Sequence, residues 1–270
     1  MSSHLVAAVQ MRTGPDLDAN LARARVLTEE AARRGAALVV LPEVFAWRGP
    51  RADESAAATP IPGRVSDFLC GLAADLAVVL VGGSFLERAA EGEKSYNTSL
   101  LIAPDGTILG RYRKIHLFDV DLPGEVSVRE SETRAYGRDV VAVPTTLGTI
   151  GLSICYDLRF PELYRRLAAS GATIVTVPSA FTFHTGAAHW EPLLRARAIE
   201  NQCYVIAPNQ AGKSPHGFAD YGHSMIVDPW GTVVAHASDG EQVIVAELDP
   251  ERIARVRREM PCQLHAVLAR

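Results

Sequence analysis

The sequence predicts an α/β protein in which two similar halves form a four-layer α-β-β-α sandwich. Three observations support this fold class. Strand-like runs rich in Val, Ile and Leu alternate with helical stretches, a strand segment near the start is echoed in the second half, and a hairpin segment is echoed too. With 270 residues, 48% of them hydrophobic, the chain has enough apolar side chains for one large core.

The first β-α-β unit is visible near the start of the chain. Hydrophobic periodicity predicts a strand over residues 5–11, a helix over residues 21–34 and a second strand over residues 38–41. Gly35 follows the helix at the position where a residue in the left-handed region commonly ends one. A helix that joins two strands is typical of α/β proteins.

The two echoes occur in the same order in both halves. Residues 35–45, Gly-Ala-Ala-Leu-Val-Val-Leu-Pro-Glu-Val-Phe, align without gaps with residues 171–181, Gly-Ala-Thr-Ile-Val-Thr-Val-Pro-Ser-Ala-Phe. Residues 99–109 align with residues 224–234, and each of these has a strand, a Pro-x-Gly turn and another strand. Such halves bury their apolar faces by stacking sheet on sheet with the helices outside.

This duplication predicts where a site lies. Glu43 and Ser179 occupy equivalent positions, just beyond a strand at the C-terminal edge of each sheet, where open α/β sheets bind ligands. Residues 48–63 and 212–221 are expected to be surface loops and candidate lids for the site. The basic residues 252–258 are expected in a solvated terminal helix.

Composition and charge exclude several classes of protein. The 31 acidic residues and 27 Lys and Arg residues are mixed along the chain, so no basic surface is expected to bind nucleic acid. The first residues lack a basic signal-peptide region, and no apolar run is long enough to span a bilayer. We therefore expect a cytoplasmic protein without a membrane partner. Because no linker is visible, we expect a single domain over residues 1–270.

The four cysteines are widely spaced and show neither a disulfide framework nor zinc-ligand spacing. Three of them, Cys70, Cys203 and Cys262, are expected to be buried packing residues. Cys155 differs because it stands between an apolar strand and a helix predicted to start at residues 160–162. Free backbone N–H groups at such a turn are expected to lower the pKa of the thiol and favour a thiolate nucleophile.

Two further residues at strand ends complete a set that suits acyl transfer. Glu43 follows Leu-Pro, and Lys114 ends the run Arg-Tyr-Arg-Lys. Taken singly, the glutamate is typical of a cap or surface acid and the lysine of a solvated side chain. Together with Cys155 they supply a nucleophile, a base for its proton and a cation for a developing oxyanion.

These three segments, in this order, resemble the Glu-Lys-Cys triad of the nitrilase, or carbon–nitrogen hydrolase, superfamily. The resemblance covers residues 6–261, and its further motifs include Lys114-Ile-His-Leu-Phe-Asp, Cys155-Tyr-Asp-Leu-Arg-Phe-Pro-Glu and Tyr221-Gly-His-Ser-Met-Ile-Val-Asp-Pro-Trp-Gly. It implies the α-β-β-α fold of the nitrilase type, a homodimer or higher homo-oligomer, and catalysis without a metal or organic cofactor.

The resemblance also implies roles for individual residues. Glu43 is the general base, Cys155 forms a thioester, and Lys114 with the backbone N–H of Tyr156 stabilises the oxyanion. A second glutamate that orients Lys114 is assigned to Glu130, with Glu125 and Glu132 as alternatives. Candidate substrate-binding residues are Tyr156, Arg159, Phe181, Thr185 and His189. Arg159 stands where related enzymes place a guanidinium that binds the substrate carboxylate; the alternative is an ion pair with Glu162. Trp190 is expected either to line the pocket or to pack in the core.

The residues after Cys155 are similar to the branch that contains deaminated glutathione amidases and omega-amidases. True nitrilases typically have Cys-Trp-Glu and N-carbamoyl amino-acid amidohydrolases Cys-Asn-x-Arg-Arg, whereas this chain has Cys-Tyr-Asp. We expect a small amide substrate that carries a carboxylate, with deaminated glutathione favoured and 2-oxoglutaramate as the alternative. The products from deaminated glutathione are 2-oxoglutarate and cysteinylglycine.

Three other functions are weighed against this interpretation. A serine hydrolase would use Ser153, but Gly-Leu-Ser-Ile-Cys lacks the closing glycine of a nucleophile elbow. A metal enzyme would use His184 and His189, which lack a third ligand motif. A non-catalytic binding module is disfavoured because Glu43, Lys114 and Cys155 are all present.

Overall fold

A computed structural model describes residues 3–89, 94–124, 126–215 and 217–267 of the chain. The helices are α1 (Leu17–Arg33), α2 (Glu54–Ala57), α3 (Arg64–Leu76), α4 (Pro161–Ala169), α5 (Phe183–Asn201), α6 (Pro250–Glu259) and α7 (Cys262–His265). Three short 3₁₀ turns are η1 (Arg51–Asp53), η2 (Glu130–Glu132) and η3 (Cys155–Arg159). Among the described helices, none combines the length and the apolar character needed to cross a bilayer.

The strands form two large sheets and two hairpins. Those of the first half are β1 (His4–Gln10), β2 (Ala36–Val40), β3 (Val79–Val81), β4 (Phe85–Arg88), β5 (Ser95–Ile102), β6 (Ile108–Arg113), β7 (Asp119–Leu122) and β8 (Val126–Arg129). Those of the second half are β9 (Ala142–Thr145), β10 (Gly148–Leu152), β11 (Ile174–Thr176), β12 (Tyr204–Ala207), β13 (Ala211–Lys213), β14 (Ala219–Tyr221), β15 (Met225–Val227), β16 (Val233–His236) and β17 (Gln242–Leu248).

The two large sheets have the same internal order. The first runs β17-β1-β2-β3-β5-β4, with β6 paired to β5, and the second runs β16-β15-β12-β11-β10-β9. Strands β1, β2 and β3 are parallel, as are β10, β11 and β12. Strands β5 and β15, which carry the second echo, each add antiparallel to the last of these three. The predicted duplication is therefore visible in the topology.

Alternate residues of the strands face different cores, and this produces the four layers. Val6 and Ala8 of β1 belong to the apolar cluster shared with the second sheet, whereas Ala7 and Val9 belong to the cluster formed with α1 and α3. On the far side of the second sheet, α4 and α5 pack against the strands. The layers run from α1 and α3 through the two sheets to α4 and α5, as the sequence predicts.

Most predicted boundaries lie within a few residues of the observed ones. Helix α1 begins earlier than predicted because the Asp16 carboxylate accepts a hydrogen bond from the Ala19 N–H and caps it. Gly35 and Gly171 have φ of 86° and 87°, as expected for glycines that follow helices. The basic residues 252–258 lie in α6.

The two predicted loops contain regular structure, so the loop prediction was wrong there. Residues 48–63 include η1 and α2, and residues 212–221 include most of the hairpin of β13 and β14. The reason is a buried ion pair, in which the Arg48 Nη2 and Nη1 lie 3.1 and 2.5 Å from the two Asp220 carboxylate oxygens. This pair joins the two segments over the C-terminal edges of the sheets.

Candidate active site

Glu43 follows β2 in a tight turn and points into the space between the sheets. Its carboxylate is buried, and the next residue, Val44, has a φ of 48°. Oε1 accepts hydrogen bonds from Lys114 Nζ at 2.9 Å and from Asn97 Nδ2 at 2.8 Å, while Oε2 accepts one from the Ala180 N–H at 2.8 Å. The second half of the chain therefore contributes directly to holding this carboxylate.

Lys114 directly follows β6, and its side chain is 1% exposed. Its ammonium lies 2.9 Å from both Glu43 Oε1 and Glu130 Oε2. Burial alone would lower the pKa of Lys114, but the Glu130 and Glu43 carboxylates outweigh burial and raise this pKa above its usual range. Lys114 is therefore a fixed cation beside the carboxylate of Glu43.

Cys155 follows β10 and is the first residue of η3. Its φ of 47° is a strained value for a residue other than glycine, and its thiol lies beside the Glu43 carboxylate. Burial and the Glu43 charge raise the pKa of the thiol well above its usual range, although Lys114 acts in the opposite direction. The predicted lowering of the Cys155 pKa was wrong, because burial and a neighbouring carboxylate dominate over the start of a short helical turn.

Asp157 connects the Cys155 turn to the segment that carries Lys114. It is fully buried, and it accepts hydrogen bonds from the Tyr112 hydroxyl at 2.6 Å and the Ile154 N–H at 2.8 Å. Its other oxygen lies 3.0 Å from the His116 N and 2.7 Å from His116 Nδ1. One carboxylate thus fixes the segments that carry Cys155 and Lys114 relative to each other.

Glu130 is the second glutamate beside Lys114, as the sequence predicts. Its carboxylate also accepts hydrogen bonds from the Phe118 N–H at 2.9 Å and from Arg134 Nη1 at 2.6 Å. Burial would raise the pKa of Glu130, but Lys114 and Arg134 lower it to about 2. Glu132 is exposed and pairs instead with Arg51, while Glu125 lies outside the described residues.

These groups open into a cavity of about 960 Å³. Four of the five predicted substrate-binding residues line it, namely Tyr156, Arg159, Phe181 and Thr185. The fifth, His189, lies behind Arg159, with its Nδ1 3.2 Å from Arg159 Nη1. Trp190 is fully buried in the core and donates a hydrogen bond to the His223 carbonyl, so core packing is the correct alternative.

Arg159 differs from the other arginines of the cavity. Arg48, Arg51 and Arg134 each pair with a carboxylate. The Arg159 guanidinium lies 5.1 Å from the Phe181 ring centroid and, within the described part of the chain, forms an ion pair with neither Glu162 nor another acid. It is therefore a cation at the cavity wall whose charge is available to a bound anion.

The lids contribute to the cavity wall as predicted. Arg48, Arg51 and Glu54 come from the first lid segment, which is residues 48–63. Gly217, Phe218 and Ala219 come from the second lid segment, which is residues 212–221. Both halves of the chain therefore contribute to the cavity wall.

Several residues considered in the sequence lie elsewhere. Ser153 is fully buried, outside the cavity lining, and its hydroxyl contacts the Tyr164 hydroxyl and the Thr176 carbonyl, which rules it out as the nucleophile. Cys203 is buried as predicted, but Cys70 is half-buried and Cys262 is exposed, so burial was the wrong prediction for these two. In the described residues, His184 and His189 belong to no cluster of three metal-ligating side chains.

Sequence reasoning missed Asn97, Asp157, Arg134 and Glu54. The signal for Asn97 is weak, because it stands among the polar residues Ser95, Thr98 and Ser99 in the first half of β5, and only its burial shows that its amide must find partners. Arg134 and Glu54 are far apart in the chain, and nothing in their local sequence shows that they meet.

Comparison with known proteins identifies the family of this chain. The profile of the carbon–nitrogen hydrolase family matches residues 5–258. The deaminated glutathione amidase of Synechocystis is 45% identical over 99% of both chains. The omega-amidase of Danio rerio is 40% identical over 97% of this chain and 94% of its own.

A solved structure has the same fold. Saccharomyces cerevisiae Nit3, a member of branch 10 of the nitrilase superfamily, superposes with a TM-score of 0.88 at 38% identity, over 96% of this chain and 94% of its own. The expected nitrilase-type fold is confirmed. The chain belongs to the carbon–nitrogen hydrolase family and is a hydrolase of carbon–nitrogen bonds in amides.

Proposed function

We propose that this enzyme hydrolyses the amide of deaminated glutathione to 2-oxoglutarate and cysteinylglycine through a thioester at Cys155. The observation that carries the proposal is the convergence of the Cys155 thiol, the Glu43 carboxylate and the Lys114 ammonium at one wall of the cavity. This set supplies the nucleophile, the base and the oxyanion partner that cleavage of a linear amide needs.

In the first half-reaction, Glu43 takes the thiol proton as the sulfur attacks the amide carbonyl. The raised pKa of the buried thiol is consistent with this order, because the proton leaves only when a base removes it. The Lys114 ammonium and the Tyr156 N–H, at the start of η3, stabilise the oxyanion, each well-placed donor contributing on the order of 3 kcal/mol. Glu43 then passes the proton to the leaving amine as the carbon–nitrogen bond breaks.

In the second half-reaction, Glu43 takes a proton from water, and the hydroxyl oxygen attacks the thioester carbonyl. The carbon–sulfur bond breaks, the acid leaves, and the Cys155 sulfur regains the proton from Glu43. Glu130 orients Lys114 through the 2.9 Å contact and keeps it charged. No metal or organic cofactor has a role in this scheme.

Arg159 is proposed to bind a carboxylate of the substrate. Its planar guanidinium suits a bidentate contact; Phe181 and Thr185 line the cavity with it, and His189 contacts it from behind. The similarity to deaminated glutathione amidases favours a 2-oxoglutaryl amide with cysteinylglycine as leaving group.

A second candidate substrate is 2-oxoglutaramate, favoured by the similarity to an omega-amidase. It shares the acyl group and differs in the leaving group, which is ammonia. The two substrates therefore place the same demands on Cys155 and Arg159 and different demands on the lids.

We also propose that residues 1–270 form a single cytoplasmic domain that assembles as a homodimer or higher homo-oligomer. Exposed apolar side chains support an assembly surface, since Trp230 and Ile199 are 53% and 50% exposed, and Ile199 packs against Gly231 beside Trp230. Light scattering after size-exclusion chromatography measures the oligomeric state, and a monomer at all concentrations would contradict the proposed assembly.

Comparison of kcat/KM for deaminated glutathione, 2-oxoglutaramate, an N-carbamoyl amino acid and a simple nitrile tests the substrate. Deaminated glutathione should give the highest value, and a higher value for the nitrile or the carbamoyl compound would overturn the proposal. Cys155→Ala should abolish turnover, whereas Ser153→Ala should retain it. A wild-type enzyme that hydrolyses none of these four compounds would favour a binding module.

A further inference from the structure

A chain of buried charges continues from the catalytic lysine to the first lid segment. After Glu130, the next member is Arg134, whose Nη1 lies 2.6 Å from Glu130 Oε1. Its other side faces Glu54, with Nη2 2.7 Å from Glu54 Oε1 and Nε 3.2 Å from Glu54 Oε2. The guanidinium thus joins two carboxylates that come from different segments.

The ion pair of Arg134 and Glu54 is shielded from water. The side chains of Arg134 and Glu54 are 10% and 5% exposed. Glu54 also accepts a hydrogen bond of 2.7 Å from the Thr133 hydroxyl. Because every polar group of this contact is satisfied and buried, its geometry is more sharply defined than that of a surface ion pair.

The charge count explains why a second cation is needed beside Glu130. Glu43, Glu54 and Glu130 bring three carboxylates together, and Lys114 supplies one cation among them. Without Arg134, two carboxylates would compete for a single ammonium, and Glu54 would be a buried charge without a cationic partner. Arg134 balances Glu130 from the side opposite Lys114 and leaves the lysine directed toward Glu43 and Cys155.

We infer that Arg134, anchored by Glu54, is a positioning residue that holds Glu130 ionised and in place so that Lys114 is directed at the reacting carbonyl. The same contact fixes α2, and with it the first lid segment, to the catalytic groups. This inference rests on the proposed roles of Lys114 and Glu130. Arg134 lines the cavity, but its role is exerted through Glu130.

The first test measures kcat and KM of Arg134→Gln and Arg134→Lys with whichever amide the wild-type enzyme hydrolyses. Arg134→Gln should lower kcat by roughly 10- to 100-fold, the range produced by misplacing a reacting group, with KM changed less than threefold. Arg134→Lys retains a cation and should recover most of kcat. A purely structural role predicts no such split between kcat and KM and no recovery that follows charge.

A double-mutant cycle distinguishes action through Glu130 from an independent effect. In a Glu130→Gln background, adding Arg134→Gln should lower kcat by less than threefold, because the partner through which Arg134 acts is already neutral. Glu54→Gln should retain the Arg134–Glu130 contact and lower kcat less than Arg134→Gln does. If Arg134→Gln fails to fold, Arg134→Lys takes its place in the cycle, and its smaller loss of kcat should likewise disappear in the Glu130→Gln background.

Arg252→Gln is the matched control, because Arg252 Nη2 lies 2.6 Å from Asp228 Oδ2 in an ion pair outside the cavity. It should leave kcat unchanged. Wild-type kcat in Arg134→Gln, or full additivity in the cycle, would overturn the inference. Cys155→Ala, measured alongside, separates the two proposals. Turnover by Cys155→Ala would refute the thioester mechanism. No turnover by Cys155→Ala, together with wild-type kcat in Arg134→Gln, would refute only the role of Arg134.

Discussion

At the scale of single residues, the site is built on strained backbone supported by buried hydrogen bonds. Val44 and Cys155, next to or at the reacting groups, have positive φ values that cost free energy in residues with a side chain. The surroundings offset this cost through contacts such as the Ser84 hydroxyl on the Val44 N–H and Asp157 on the Ile154 N–H. The strain therefore persists because neighbouring side chains fix the two turns.

Asp157→Asn tests this support. The variant replaces one of the two acceptor oxygens by an amide nitrogen. It therefore loses one of two pairs of hydrogen bonds: those from the Tyr112 hydroxyl and the Ile154 N–H, or those with the two His116 nitrogens. We expect the free energy of unfolding to fall by about 2–4 kcal/mol and kcat to fall with it. Urea unfolding and steady-state kinetics measure the two effects.

The matched control is Asp249→Asn, which keeps an acceptor at the N-terminus of α6. It should change the free energy of unfolding by less than about 0.5 kcal/mol. Equal stability of the Asp157 and Asp249 variants would show that Asp157 does not hold the segments that carry Cys155 and Lys114.

The sequence predicts the identity of the reacting residues better than their ionisation. Glu43, Lys114 and Cys155 meet as expected because motifs at strand ends identify them, and Glu130 lies beside Lys114 as the family resemblance implies. The raised pKa of Cys155 could not be predicted, since it depends on burial and on the approach of Glu43 from the other half of the chain. The contacts of Asn97, Arg134 and Glu54 likewise depend on tertiary packing.

At the scale of elements, the lids are held together by the buried pair of Arg48 and Asp220. This pair joins the segment before η1 to β14, and the Ser214 hydroxyl lies 3.2 Å from Arg48 Nη2. Loop composition alone predicts surface loops here. The structure differs because a buried ion pair with good geometry orders both segments.

Asp220→Asn is expected to loosen the lids and raise KM. Since the amide keeps the shape of the side chain but weakens the contact with Arg48, KM for deaminated glutathione should rise about fivefold, or about 1 kcal/mol of binding, with a smaller change in kcat. Asp228→Asn, which weakens the pair with Arg252 outside the cavity, is the control and should leave KM unchanged. An unchanged KM in Asp220→Asn would show that the lids do not shape the binding site.

At the scale of the whole molecule, duplication places the site between two equivalent sheet edges. Glu43 follows β2 and Cys155 follows β10, so each half supplies one of the two groups between which we propose that the thiol proton moves. The fold class and the duplication were predictable because two segments of the first half are echoed in the second half and because strands alternate with helices along the chain. The pairing of β17 with β1 was not, because it joins the two ends of the chain.

The site charges should also affect the stability of the whole protein. Because the pKa of Glu130 is about 2 in the fold and 4.5 ordinarily, its contribution is complete above about pH 4.5 and is lost as pH falls toward 2. The difference in free energy of unfolding between wild type and Glu130→Gln should therefore shrink by about 2 kcal/mol from about pH 6 to about pH 3. Chemical unfolding across this range measures it, and a constant difference would contradict the assigned charge.

The most direct test of the mechanism is detection of the thioester on Cys155. The enzyme is mixed with deaminated glutathione, quenched in acid during turnover and examined by peptide mass spectrometry. The mechanism predicts a 2-oxoglutaryl group on the Cys155 peptide, the same group when 2-oxoglutaramate is the substrate, and no adduct or turnover in Cys155→Ala. Turnover by Cys155→Ala, or an acyl group on another residue, would contradict it.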